Sequence, residues 1–271
     1  MEKKIICIDS DGCVMDTMNY KHELCFGPLA ADFWEVKEKD EFLKEWNTVN
    51  LFSDTRGINR FKGLYLTFEK MNKKYPTIPK LNDVKLWAEN AQELSNASLK
   101  REIEKNNSEE LKKALMWSEK VNEKIASLEG LDKPFEKAKE ALEHASKYTD
   151  VAIVSSANKE AILSEWQRHG LLEYVNEVMG QDKGTKKDCI SFLISKGYDA
   201  NNILMIGDSP GDIEAAKLNN VKFYPIMFND EKNSWEKFST EILDEFLNGI
   251  YDEKSYVEKY NKLLKKYSKE D

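Results

Sequence analysis

The chain has 271 residues, 41% of them hydrophobic and 33% charged, enough to bury a full core without disulfide or zinc staples and too apolar for a disordered chain. Its 41 basic and 49 acidic side chains leave a net charge of −8, which argues against a general affinity for nucleic-acid phosphates. The apolar runs are strand-sized, so neither a membrane span nor a signal peptide is expected, and four cysteines in no CxxC pair fit a reducing cytoplasm.

The first element is an apolar strand over residues 4–8 that runs into Asp9-Ser10-Asp11-Gly12. Carboxylates at alternate positions beyond a strand share one side of the extended chain, at the end where α/β sheets bind ligands. Gly12 then permits a tight turn. A plain turn after a strand has the same pattern, so the segment alone leaves both readings open. Residues 19–131 look different: long, charged, helix-favouring segments such as 81–95 and 108–128, breakers at Pro76 and Pro79, and no clear strand. This stretch is expected to be an all-helical insertion. Two of the chain's four arginines, Arg56 and Arg60, lie near its start. Their planar forks suit an anionic group on a substrate, or ion pairs with the many acids around them.

From Pro134 onward helix and strand alternate. Phe135, Ala138, Ala141, Leu142 and Ala145 recur on one helical face, and a strand over residues 151–154 follows. It delivers Ser155, Ser156 and Asn158, which suit either phosphate oxygens or a helix N-cap. A helix marked by Ile162, Leu163 and Trp166 comes next. Then comes Lys183-Gly184-Thr185-Lys186-Lys187, with Thr185 and Asp188 placed to cap a helix carrying Ile190, Leu193 and Ile194. A strand over residues 203–206 ends in Gly207-Asp208-Ser209-Pro210-Gly211-Asp212. Here Ser209, Pro210 and Asp212 make a capping arrangement, and Asp212 could also support a metal. A last strand is expected over residues 221–226. The alternation predicts an α/β core over 1–18 and 132–230, with the insertion over 19–131 and a helical extension over 231–271.

Taken together, three strand ends bearing Asp9 and Asp11, Ser155, and Asp208, with a lysine segment between the last two, resemble the haloacid dehalogenase superfamily in its phosphatase branch. Its DxDG motif matches residues 9–12 with Asp16-Thr17 following, its second-motif hydroxyl matches Ser155, its lysine matches Lys186 with Lys183 as fallback, and its GDxxxD matches 207–212. The resemblance implies a Rossmann-like three-layer core with a parallel sheet, plus an inserted helical cap of the C1 type. It also implies a Mg²⁺-dependent phosphatase acting on a small phosphate ester through an aspartyl-phosphate.

In that scheme Asp9 is the nucleophile and Asp11 the general acid and base. Ser155 and Lys186 hold the phosphoryl oxygens, with Ser156 as a further hydroxyl. Arg56 and Arg60 of the insertion, read from their own chemistry rather than from the resemblance, are candidates to bind an anionic group of the substrate. Asp9, the Asp11 carbonyl, Asp208 and Asp212 attend the metal. Asp11 argues against a dehalogenase, which needs no proton donor there. A phosphomutase, a phosphonatase and a non-catalytic phospho-ligand sensor stand as alternatives.

Overall fold

The computed structural model describes residues 3–128 and 130–268. Five parallel strands, β1 (Ile5–Ile8), β2 (Asp150–Val154), β3 (Glu177–Met179), β4 (Ile203–Gly207) and β5 (Lys222–Pro225), form one sheet in the order β3-β2-β1-β4-β5. Every residue of β1 and β4 is buried, as both-face coverage by helices demands. One face presents Ile6, Ile8, Val151, Ile153, Leu204 and Ile206 to the apolar side of helix Ala138–Ala145, to Trp166, and to Trp235 and Phe238. Helices Lys186–Ser195 and Pro210–Leu218 pack on the sheet as well, and Cys189 of the former lies close to Cys7 of β1. Cys7 and Ile8 are neighbours in a strand and so face opposite ways, which places helices on both sides of the sheet. The fold is α/β, with a Rossmann-like strand order.

The chain leaves β1 for β2 and β3 on one side, then returns to place β4 and β5 on the other. The reversal point is therefore the crevice between β1 and β4, outside their carboxyl ends. That is where open parallel sheets bind their ligands.

Contacts divide the chain into two compact units, residues 1–18 with 132–263, and residues 19–131 with 264–271. The helices from Glu231 to Leu263 thus belong to the body of the α/β unit. The second unit is helical, with no strand among its described residues. Its core is aromatic: the Trp117 ring meets those of Phe26, Trp34, Trp46 and Phe61 at centroid distances of 6.0–6.5 Å. Asn59 caps the helix Arg60–Lys74 by accepting from the Phe61 N–H at 3.0 Å. Among the described residues, no helix is long and apolar enough to cross a membrane.

Candidate active site

The loop after β1 is wound around Ser10. Its carbonyl accepts from the N–H groups of Cys13, Val14 and Met15 at 2.9–3.3 Å, and Gly12 takes the left-handed φ of 80° that the turn needs. The Trp166 indole donates to the Ser10 hydroxyl at 2.8 Å, and the Trp235 indole donates to the Cys13 carbonyl at 3.0 Å. Two buried tryptophans from distant helices therefore fix the segment that carries Asp9. The Asp9 N–H continues the ladder to the Ile206 carbonyl at 3.0 Å, which brings Asp9 level with the end of β4.

Beyond β4, Asp208 is fully buried and the helix Pro210–Leu218 begins. Asp212 in its first turn accepts from the Ser209 N–H at 3.0 Å and the Ser209 hydroxyl at 2.7 Å. Its other oxygen accepts from Lys186 Nζ at 2.6 Å, and the same ammonium donates to Asp9 Oδ2 at 2.6 Å. Lys186 is the first residue of the helix Lys186–Ser195, which is capped by Thr185 and Asp188 through reciprocal bonds. That cap aims the lysine inward, whereas Lys183 is exposed and lies over the Phe192 ring.

Asp9, Asp208 and Asp212 each present a carboxylate oxygen within 4.8 Å of the others, all three buried. Burial pushes the Asp9 carboxyl up to about 8; Lys186 pulls it down, and the Asp212 and Asp208 charges add to the rise. Burial alone would lower the Lys186 ammonium, but Asp212 and Asp9 outweigh it and hold it well above its ordinary value. Three buried carboxyl groups outnumber the one ammonium among them and make an all-oxygen donor set. Such a set fits a hard divalent cation such as Mg²⁺.

Asp11 stands apart from this cluster. It is half-buried, and one carboxylate oxygen accepts a hydrogen bond from the Thr17 hydroxyl. The parallel register sets Ile8 opposite Ile153, so Ser155 lies at the same sheet end as Ser10 on the adjacent strand. Its hydroxyl accepts from the Ala157 N–H at 3.2 Å. Ser156 is exposed, and Asn158 is the N-cap of helix Lys159–Arg168. Cys13 is a buried packing residue whose thiol is held well above its ordinary value by burial, then by Asp208, Asp9 and Asp212.

Arg56 and Arg60 are both engaged inside the helical unit. Arg56 is buried and donates to the Leu51 carbonyl. Arg60 donates to the Ser118 hydroxyl at 3.1 Å and to Asn122 Oδ1 at 2.7 Å, and its guanidinium lies 4.9 Å from the Phe26 ring centre. The Arg60 partners are neutral groups, a hydroxyl, an amide oxygen and an aromatic ring. His22 accepts from the Trp46 indole at 3.1 Å and stacks on Phe26, as part of the same aromatic core.

The family model described as haloacid dehalogenase-like hydrolase matches residues 58–226. No curated protein matches the chain. Among solved structures, a haloacid dehalogenase-like hydrolase family protein from Streptococcus pneumoniae has a TM-score of 0.55 at 12% identity, covering 86% of this chain and 90% of its own. A predicted phosphoglycolate phosphatase from Haemophilus somnus has a TM-score of 0.54 at 16% identity, covering 83% and 85%. A HAD-hydrolase from Bacillus subtilis bound to magnesium has a TM-score of 0.50 at 14% identity, covering 83% and 87%. At these identities the likeness is one of fold.

Proposed function

Because the chain belongs to the haloacid dehalogenase-like hydrolases, we propose that it is a Mg²⁺-dependent phosphatase that hydrolyses a small phosphate monoester through a phosphorylated Asp9. The observation that carries this reading is the placement of Asp9 at the sheet's reversal point, bonded to Lys186 and clustered with Asp208 and Asp212. The solved structures described as a phosphatase and as magnesium-bound support it by analogy of fold.

The residues divide the work by their chemistry. Asp9 in its carboxylate form attacks phosphorus, displacing the alkoxide and forming an acyl phosphate. Asp11 donates a proton to the departing oxygen. It then takes one from the water that cleaves the acyl phosphate, releasing inorganic phosphate and restoring Asp9. The Thr17 hydroxyl orients Asp11 through both steps. Lys186 offers positive charge beside Asp9, where the phosphoryl oxygens collect charge in the transition state. Ser155, at the same sheet end, offers a hydroxyl and Ser156 a second one.

A Mg²⁺ ion would be held by Asp9, Asp208 and the Asp11 carbonyl, with Asp212 beside it bonded to Lys186 and Ser209. When bound, it neutralises the phosphate and the carboxylates that repel it. Like charges ~4 Å apart repel by about 4 kcal/mol at an effective dielectric of about 20. A cation there therefore favours the Asp9 carboxylate, which burial and then the neighbouring acids disfavour. The enzyme reading is tested by screening phosphorylated metabolites for phosphate release with Mg²⁺ and with EDTA. Release that requires Mg²⁺ supports it. Tight binding of a phosphorylated ligand without release supports a sensor instead.

A further inference from the structure

The family match ends at residue 226, yet a residue far beyond it reaches the acidic cluster. The Asp208 carbonyl comes just after β4, where the ladder ends: the Gly207 carbonyl takes the Ile226 N–H, and the chain then turns into the helix Pro210–Leu218. A buried carbonyl leaving a sheet needs another donor. That donor is the hydroxyl of Tyr260, fully buried on the C-terminal helix Lys254–Ser268. The bond fixes the peptide unit that follows Asp208 and, with it, the direction in which the Asp208 Cα–Cβ bond leaves the chain.

We propose that Tyr260 is a positioning residue that aims the Asp208 carboxylate at the cation, making the C-terminal helix part of the metal site. The inference rests on the Mg²⁺-phosphatase reading above. In this role Tyr260 is not itself a ligand of the cation and works through its bond to the Asp208 backbone. Losing an outer partner of a ligand typically weakens metal binding by about 10–100-fold.

The same segment supplies an internal control. The Tyr251 hydroxyl also donates to a buried carbonyl, that of Phe223 in β5, at 2.9 Å. Tyr260→Phe and Tyr251→Phe remove the same kind of bond from the same unit, one at the cluster and one away from it. Calorimetry with Mg²⁺ alone, without substrate, reads the dissociation constant, and thermal unfolding in EDTA reads stability. The expected result is a Mg²⁺ dissociation constant raised about tenfold in Tyr260→Phe and unchanged in Tyr251→Phe, with comparable losses of unfolding temperature. With substrate, Tyr260→Phe should regain the wild-type kcat at high Mg²⁺.

Wild-type Mg²⁺ affinity in Tyr260→Phe, or equal weakening in both variants, overturns the inference alone. Absence of Mg²⁺ binding by the wild-type protein overturns the reading beneath it and the inference with it. Should Tyr260→Phe not fold, 3-fluorotyrosine at position 260 keeps the ring and strengthens the hydroxyl as a donor. The dissociation constant must then fall, and an unchanged value overturns the inference.

Discussion

The Asp212 carboxylate rests on Gly207: a Cβ added to that glycine would lie 2.3 Å from Asp212 Cγ. The last residue of β4 and the first turn of the following helix therefore meet at a contact that only glycine allows. Gly207→Ala should force Asp212 away from Ser209 and Lys186, costing about 1–3 kcal/mol of stability and most of the turnover. Gly211→Ala is the matched control, because its added Cβ meets only Ser209 Oγ at 3.6 Å. Denaturant unfolding and steady-state rates distinguish the two, and equal behaviour would contradict the account of this contact.

Asp9 and Asp11 should fail in different ways. Asp9→Asn abolishes turnover, since an amide is a poor nucleophile. Asp11→Asn leaves the buried cluster intact and slows turnover by about 10²–10⁴-fold on alkyl phosphates. The loss should shrink on an activated aryl phosphate, whose leaving group needs less protonation. Thr17→Val, which removes the donor to Asp11, should show the same leaving-group dependence in weaker form. A loss independent of the leaving group would remove Asp11 from the acid role.

Asp208 and Asp212 should separate by readout. Asp212 spends one oxygen on Ser209 and the other on Lys186, so Asp212→Ala should unfold at lower denaturant as well as lose activity. Asp208→Ala should chiefly raise the Mg²⁺ concentration needed for half-maximal rate. EDTA should silence the wild-type enzyme, and Mg²⁺ should restore it. Identical Mg²⁺ requirements in the two variants would show that the division is wrong.

Arg60 is predicted to stabilise the helical unit. Its bonds to Ser118 and Asn122 and its stacking on Phe26 should make Arg60→Ala about 1–3 kcal/mol less stable. The contrary result, unchanged stability with KM raised for an anionic substrate, would return Arg60 to substrate recognition.

What could be read from the sequence depended on the reach of each interaction. The pattern of apolar strands ending in Asp9, Ser155 and Asp208 was legible, because strand, turn and helix cap are all local. The Thr185 and Asp188 cap was legible for the same reason, and it sets Lys186 rather than Lys183 toward Asp9. The edge strand β3 was not, since Glu177–Met179 is three residues long and only partly buried. The supports of the site were hidden by distance along the chain. Trp166 reaches Ser10 across 156 residues and Trp235 reaches Cys13 across 222, and each reads in sequence only as one more core aromatic. The bonds of Arg60 to Ser118 and Asn122 were hidden for the same reason, because those partners lie on a helix far along the chain.

The most direct test of the central claim is chemical trapping during turnover. An acyl phosphate on Asp9 is reduced by borohydride to homoserine, which peptide mass spectrometry locates. The account predicts homoserine at position 9 in the wild-type enzyme quenched with substrate and Mg²⁺, and none in enzyme quenched without substrate. Rapid turnover with position 9 unmodified, or with the label on another residue, would contradict it.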